Sequence, residues 1–204
     1  MTHAFKSLVV GLALLAQPAF RAISPGGPVS PDGKTELTCD LPEPLRKRNT
    51  GGRDGAGLCV FTSIMHSARY QNEERLWDFQ AKMKSEPGGG YPDKVDKMVT
   101  KYGSGTVYVQ HTGGNPSFLD LAIKTGRMPS VTYDGRDGVF YKGRIAHMVN
   151  LVHIDADQAA ILDNNYPTKI LWTSRAEFID RWKGNSGGWA VVLLAPPPAP
   201  VPHN

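Results

Sequence analysis

His147-Met148-Val149-Asn150-Leu151-Val152-His153-Ile154-Asp155-Ala156-Asp157-Gln158-Ala159-Ala160-Ile161-Leu162-Asp163 reads as two strands and the turn that joins them. Residues 147–154 and 159–162 are rich in apolar side chains, and Asp155-Ala156-Asp157-Gln158 carries the chemistry of a tight turn. Asp163 follows His147 by 16 residues, which suits a hairpin with arms of about six to eight residues. Antiparallel pairing returns the chain, so the two ends of this stretch are predicted side by side. A carboxylate at Asp163 then accepts an imidazole N–H of His147 and fixes the tautomer.

Upstream the pattern is helical. Gly51-Gly52-Arg53-Asp54-Gly55-Ala56-Gly57 runs into Leu58, Phe61, Met65 and Ala68, which recur at helical spacing, so a buried helix is expected to begin near Cys59. A second helical pattern covers 73–84, with Leu76, Phe79, Gln80 and Met83 on adjoining turns, and Pro87-Gly88-Gly89-Gly90-Tyr91-Pro92 stops it. A short helix over 93–101 follows, with Asp93 as its expected cap. Residues 106–110 read as a strand and 116–125 as a helix closed by Gly126. Residues 128–133 read as a strand, edge-like because of Pro129. After the hairpin, Ser174 with Glu177 forms a capping box for a helix through Trp182, and 188–194 is a closing strand. Helices first and a mainly antiparallel sheet afterwards define an α+β domain.

Cys59 joins the two halves chemically. At a helix N-terminus the macrodipole and free N–H groups favour the thiolate, which is the nucleophilic form. The glycines before it leave backbone open to a substrate and to a developing oxyanion. Cys59, His147 and Asp163 are therefore the candidate nucleophile, base and orienting acid.

These motifs carry a resemblance. Cys59 opening a buried helix, His147-Met148-Val149-Asn150-Leu151-Val152-His153-Ile154-Asp155 and Ile161-Leu162-Asp163-Asn164-Asn165 resemble the papain-like thiol peptidase superfamily, in its compact branch related to the bacteriocin-leader (C39) peptidases. Ile123-Lys124-Thr125-Gly126-Arg127-Met128-Pro129-Ser130-Val131 is similar to that branch's helix-Gly-x-x-Pro-strand step, and Phe178, Trp182 and Gly188-Trp189-Ala190-Val191-Val192 to its closing helix and strand. The likeness covers about residues 50–194. It implies a papain-like fold and cleavage of an amide bond in a peptide or protein through a thioester on Cys59, without a cofactor. His147 would be base and then acid, and Asp163 the orienting residue, with Asn164 in its place if the hairpin register slips by one. The family's Gln a few residues before the Cys, an oxyanion donor, has no counterpart: Arg53 and Asp54 stand there, and Asn49 is ten residues upstream. The 88 residues between Cys59 and His147 fall short of the roughly 130–150 of papain and cathepsins and favour the compact branch.

The remaining features bound the reading. The chain has 204 residues, 40% hydrophobic, enough for one domain with tails. Its 23 Lys and Arg against 19 Asp and Glu give +4, and no basic run exceeds Arg46-Lys47-Arg48, which argues against nucleic acid. Residues 1–22 read as a secretory signal, with Lys6 before a short apolar run and small residues at Ala16, Ala19 and Ala22. The chain is thus expected to be exported, with no membrane span after cleavage. Residues 23–48 read as a flexible lead-in, 49–195 as the domain and 196–204 as a Pro-rich tail. His66 is seven residues past Cys59, too far along the helix to pair with the thiol, and reads as structural. His153 with Asp155 lacks any metal-binding signature, and no phosphate-binding loop is present. Trp77, Trp172, Trp182 and Trp189 read as core. Two other readings of Cys59 stay open: a silent binding module with a Cys39–Cys59 disulfide, and a transglutaminase-like acyl transferase.

Overall fold

The computed structural model describes residues 24–198, and the expected signal segment, 1–22, lies outside them. In chain order the elements are β1 (Ser24–Gly26), α1 (Cys59–Tyr70), α2 (Phe79–Lys82), α3 (Pro92–Tyr102), β2 (Tyr108–His111), α4 (Pro116–Lys124), β3 (Ser130–Asp134), β4 (Ala146–Ile154), β5 (Gln158–Leu162), β6 (Ile170–Ser174), α5 (Arg175–Gly184) and β7 (Ala190–Leu193). The strands form one seven-stranded sheet in the order β1-β6-β5-β4-β3-β7-β2, antiparallel at every pairing. Helices precede the main strands, so the α+β class read from the sequence stands.

Each face of the sheet carries its own core. Met148 with Val191 and Leu193 packs against α1 and α3 through Phe61, Ile64, Val95 and Val99. Val131, Val149 and Leu151 pack on the other side with Leu119, Phe178 and Trp182. The period-2 alternation of β4 divides its side chains between the two layers. Helix α1 is buried from Val60 to Ala68, so its polar residues need partners inside the protein. Ser63 Oγ donates to Met148 O at 3.0 Å, Ser67 Oγ to Met128 O at 2.8 Å, and Asn150 Nδ2 to Ser63 O at 2.9 Å.

The hairpin expected at 155–158 is formed: Asp155 N donates to Gln158 O at 3.0 Å, and Asp155 Oδ1 accepts from the N–H groups of Asp157 and Gln158. Ser174 caps α5 by accepting from Glu177 N at 3.2 Å.

Several expectations are corrected. Residues 24–48 are not a loose leader: Ser24–Gly26 pair with β6, and Cys39 and Leu41 are buried in the core. The anchor is a β-bulge in β4, where the register jumps between Leu151 and His153, and the carbonyl of the intervening Val152 accepts from Cys39 N at 2.9 Å. The helix expected over 73–84 is broken into the 3-10 turn Glu74–Leu76, α2 and the 3-10 turn Met83–Ser85. The cap of α3 is Tyr91 rather than Asp93, because Pro92 takes the first helical position. Strand β3 lies inside the sheet between β4 and β7; Pro129 precedes it, so no ladder N–H is lost. Strand β6 was not anticipated, and Trp77 is 37% exposed rather than core.

Candidate active site

Cys59 is the first residue of α1, capped by Leu58 with no side-chain hydrogen bond, so the N–H groups of the first turn are directed at whatever stands before the helix. His147 is the second residue of β4, and Asp163 immediately follows β5. Asn150 pairs with Leu162, and one further step of that register sets Asp163 opposite Val149. Asp163 therefore shares a face with His147 as its diagonal neighbour. The side chains meet there: His147 Nε2 and Asp163 Oδ1 are 2.9 Å apart. Asp163 is fully buried, so it accepts only with Nε2 protonated, which leaves Nδ1 for the thiol of Cys59.

Burial raises the thiol's pKa, but the hydrogen bond and charge of His147, with the N–H groups of Met148 and Val60, outweigh it and leave Cys59 below the ordinary thiol value. Burial works against protonation of His147 too, yet Asp163 and Cys59 raise its pKa to about 9. Together these shifts favour a thiolate–imidazolium pair near neutral pH.

Asp163 and Asn164 have different tasks. Asn164 Nδ2 donates to Cys59 O at 3.2 Å, Ser63 Oγ at 2.9 Å and Met148 O at 2.9 Å, tying α1 to β4. It does not hold the imidazole. The second oxygen of Asp163 accepts from the Tyr141 hydroxyl at 2.7 Å, and Asn165 N donates to Oδ1 at 2.8 Å. Tyr141 stands on the loop between β3 and β4, with its ring centroid 5.8 Å from that of His147. Sequence reasoning passed over it; its loop carries no periodic signal, and only an aromatic within a Gly-rich excursion marked it.

Asn49 is also brought to the site. Gly51 and Gly57 bridge, Gly52 N donates to Ala56 O at 2.7 Å, and Leu58 N to Thr50 O at 3.0 Å, closing residues 51–57 into a tight hairpin. Ten residues of chain separation thereby become direct proximity: Asn49 and Cys59 line the same cleft. Asn49 N donates to Asn164 O at 2.7 Å, and its Nδ2 donates to Asn165 Oδ1 at 3.2 Å, which uses one of its two amide hydrogens. Asp54, at the hairpin's far end, accepts from Gly88 N at 2.5 Å and from Ala56 N at 3.1 Å. The cleft has a volume of about 420 Å³ and is also lined by Gly90, Asn185 and Trp189. Gly90 is obligatory, because any Cβ there would collide with the Val60 side chain.

Other sequence candidates fall outside the cleft. His66 is buried and neutral, with its pKa pushed down to about 4, chiefly by burial. His153 is held by Thr38 Oγ1 at 2.9 Å and Asp155 Oδ2 at 3.1 Å. Among the described residues there is no cluster of three His, Cys, Asp or Glu fit for a metal ion. Cys39 and Cys59 are both free, in opposite core layers, so the Cys39–Cys59 bridge is corrected. No helix among the described residues is long and apolar enough to cross a membrane.

No protein-family model matches the chain, and no curated protein does. Among solved structures it is similar to that of a candidate C39-like peptidase from Bacillus anthracis, with a TM-score of 0.54 at 16% identity over 80% of this chain and 100% of the other. At that identity the likeness is one of fold. The chain has the papain-like fold of a C39-like peptidase, as its sequence motifs implied.

Proposed function

We propose that this protein is a cysteine peptidase or closely related amide hydrolase, with Cys59 as nucleophile, His147 as base and then acid, and Asp163 as the orienting carboxylate. The observation that carries this is the continuous pairing Cys59–His147–Asp163, with Cys59 and His147 lining a cleft and Asp163 buried behind them, and with the thiol's pKa lowered and the imidazole's raised. The Cys59 thiolate attacks the substrate carbonyl carbon, and the carbonyl electron pair moves onto oxygen. The Cys59 N–H, freed by its place at the helix start, and the second amide hydrogen of Asn49 stabilise that oxyanion. The protonated His147 gives its Nδ1 proton to the leaving amine as the C–N bond breaks and a thioester forms. Water then loses a proton to His147 and attacks the thioester; the acid product leaves, and the ion pair returns. Asn49 thus takes the place of the absent Gln.

Export through residues 1–22 belongs to this proposal as well. The test is digestion of a mixed peptide pool by the full chain, followed by mass spectrometry. The reading expects new carboxyl termini that vanish in Cys59→Ala and His147→Ala. Peptides joined with loss of ammonia would instead identify acyl transfer, and products persisting in Cys59→Ala would overturn the assignment.

A further inference from the structure

A second recess, about 660 Å³ in volume, adjoins the catalytic cleft. The two share consecutive residues twice: Arg144 lines the recess and Ile145 the cleft, and Gly184 lines the recess and Asn185 the cleft. Four cations, Arg136, Arg144, Arg181 and Lys183, line it against two acids, Asp134 and Asp180.

The acids are not equivalent. Asp134 is 2% exposed, and its Oδ2 is 2.8 Å from Arg136 Nη2 and 3.3 Å from Arg144 Nε. One buried carboxylate thus holds two guanidinium groups whose side chains stay 59% and 66% exposed. Arg144 Nη2 also donates to Gly184 O at 2.7 Å. Arg181 donates to the carbonyls of Asp134, Gly135 and Arg136 and pairs with Glu177 at 2.5 Å, so its charge is spent on fixing the loop. Lys183 has no ion-pair partner among the described residues. With Arg181 set against Glu177, the recess keeps Arg136, Arg144 and Lys183 against the buried Asp134 that the two arginines share and the exposed Asp180, an excess of one positive charge. Planar forks held in place by a buried acid suit a carboxylate, which each can grip with paired N–H groups at little ordering cost.

We propose that this recess is a subsite for the acidic side chains of a peptide threaded through the cleft. The proposal rests on the reading of the cleft as a peptide-cleaving site. The subsite recognises a carboxylate a few residues from the bond at Cys59, and acidic peptides are the preferred substrates. A few cations beside a cleft favour such a peptide over nucleic acid, which demands an extended basic track.

The test uses Cys59→Ala protein, which binds without turnover, and two peptides alike except that three Glu in one are Gln in the other. Binding is read by calorimetry at low and physiological salt. The Glu peptide should bind about five- to tenfold tighter at low salt, with the margin shrinking as salt screens it. The margin should collapse in Arg144→Gln and also in Lys183→Gln, which keeps the stem that lies against Gly114 and removes only an ammonium without an ion-pair partner among the described residues. Equal affinities, no binding of the Glu peptide, or a margin that survives both substitutions would overturn the proposal. So would a short single-stranded oligonucleotide that binds more tightly than the Glu peptide and displaces it. Alkylation of Cys59 in the wild-type protein reports the catalytic reading separately: an inert thiol beside an intact Glu preference would sink the enzyme and leave the recess standing.

Discussion

At the scale of single residues, the site depends on two shifts that burial alone would not produce. A thiol and an imidazole taken out of water both favour their neutral forms. Here each is the other's counter-charge, and the buried Asp163 sides with the imidazolium. In the proposed mechanism Asn49 contributes differently, since its amide would meet charge that exists only in the transition state. Asn49→Ala should lower kcat about a hundredfold while KM changes little, as steady-state kinetics on any cleaved peptide would show. Cys59 alkylation should continue in that variant, because the thiolate does not depend on Asn49. His147 and Asp163 were legible in the sequence because a period-2 hairpin fixes which residues meet across it. Asn49 and Tyr141 were not, because each reaches the site through loop closure, which leaves no periodic trace.

At the scale of elements, α1 and β4 are fastened by buried polar residues as well as apolar ones. His66 Nε2 accepts from Lys47 N at 2.8 Å, so the remaining proton is on Nδ1, 3.2 Å from Asn150 Oδ1. Protonation would destroy the first of these bonds. With its pKa lowered to about 4 in the fold against 6.5 in the open chain, His66 binds more protons when unfolded. Its contribution is complete above pH 6.5 and is lost as pH falls through about 4, by roughly 3 kcal/mol. Urea unfolding at pH 7.5 and 4.5 should show a steeper acid loss in the wild type than in His66→Gln, even though the variant starts lower. The helix over α1 was readable from its apolar spacing, and the Ser174 cap from its capping box. Strand β6 was missed although Ile170, Leu171 and Trp172 form a short apolar run, because the turn residues before it and the helix cap after it drew the reading. The second helix is broken into short turns that still bury the face read from the sequence, Leu76, Phe79, Gln80 and Met83.

At the scale of the whole molecule, the N-terminal stretch closes the layer opposite α1. Its Gly and Pro content argued for a loose leader, and composition could not reveal that the bulge at Val152 leaves a carbonyl for Cys39 N. Leu41 is 1% exposed within that layer. Leu41→Ala should therefore cost about 2–4 kcal/mol in a urea melt, whereas a flexible leader would give a change within about 0.5 kcal/mol.

The central claim is that Cys59 is an activated thiolate made so by His147. Iodoacetamide labelling across pH 5 to 9, read by peptide mass spectrometry, measures it without any knowledge of the substrate. The account predicts rapid labelling of Cys59 well below pH 8, lost in His147→Ala, and no labelling of native Cys39, whose pKa burial raises to about 12. Labelling of Cys59 that rises only above pH 8, alike in wild type and His147→Ala, would contradict it.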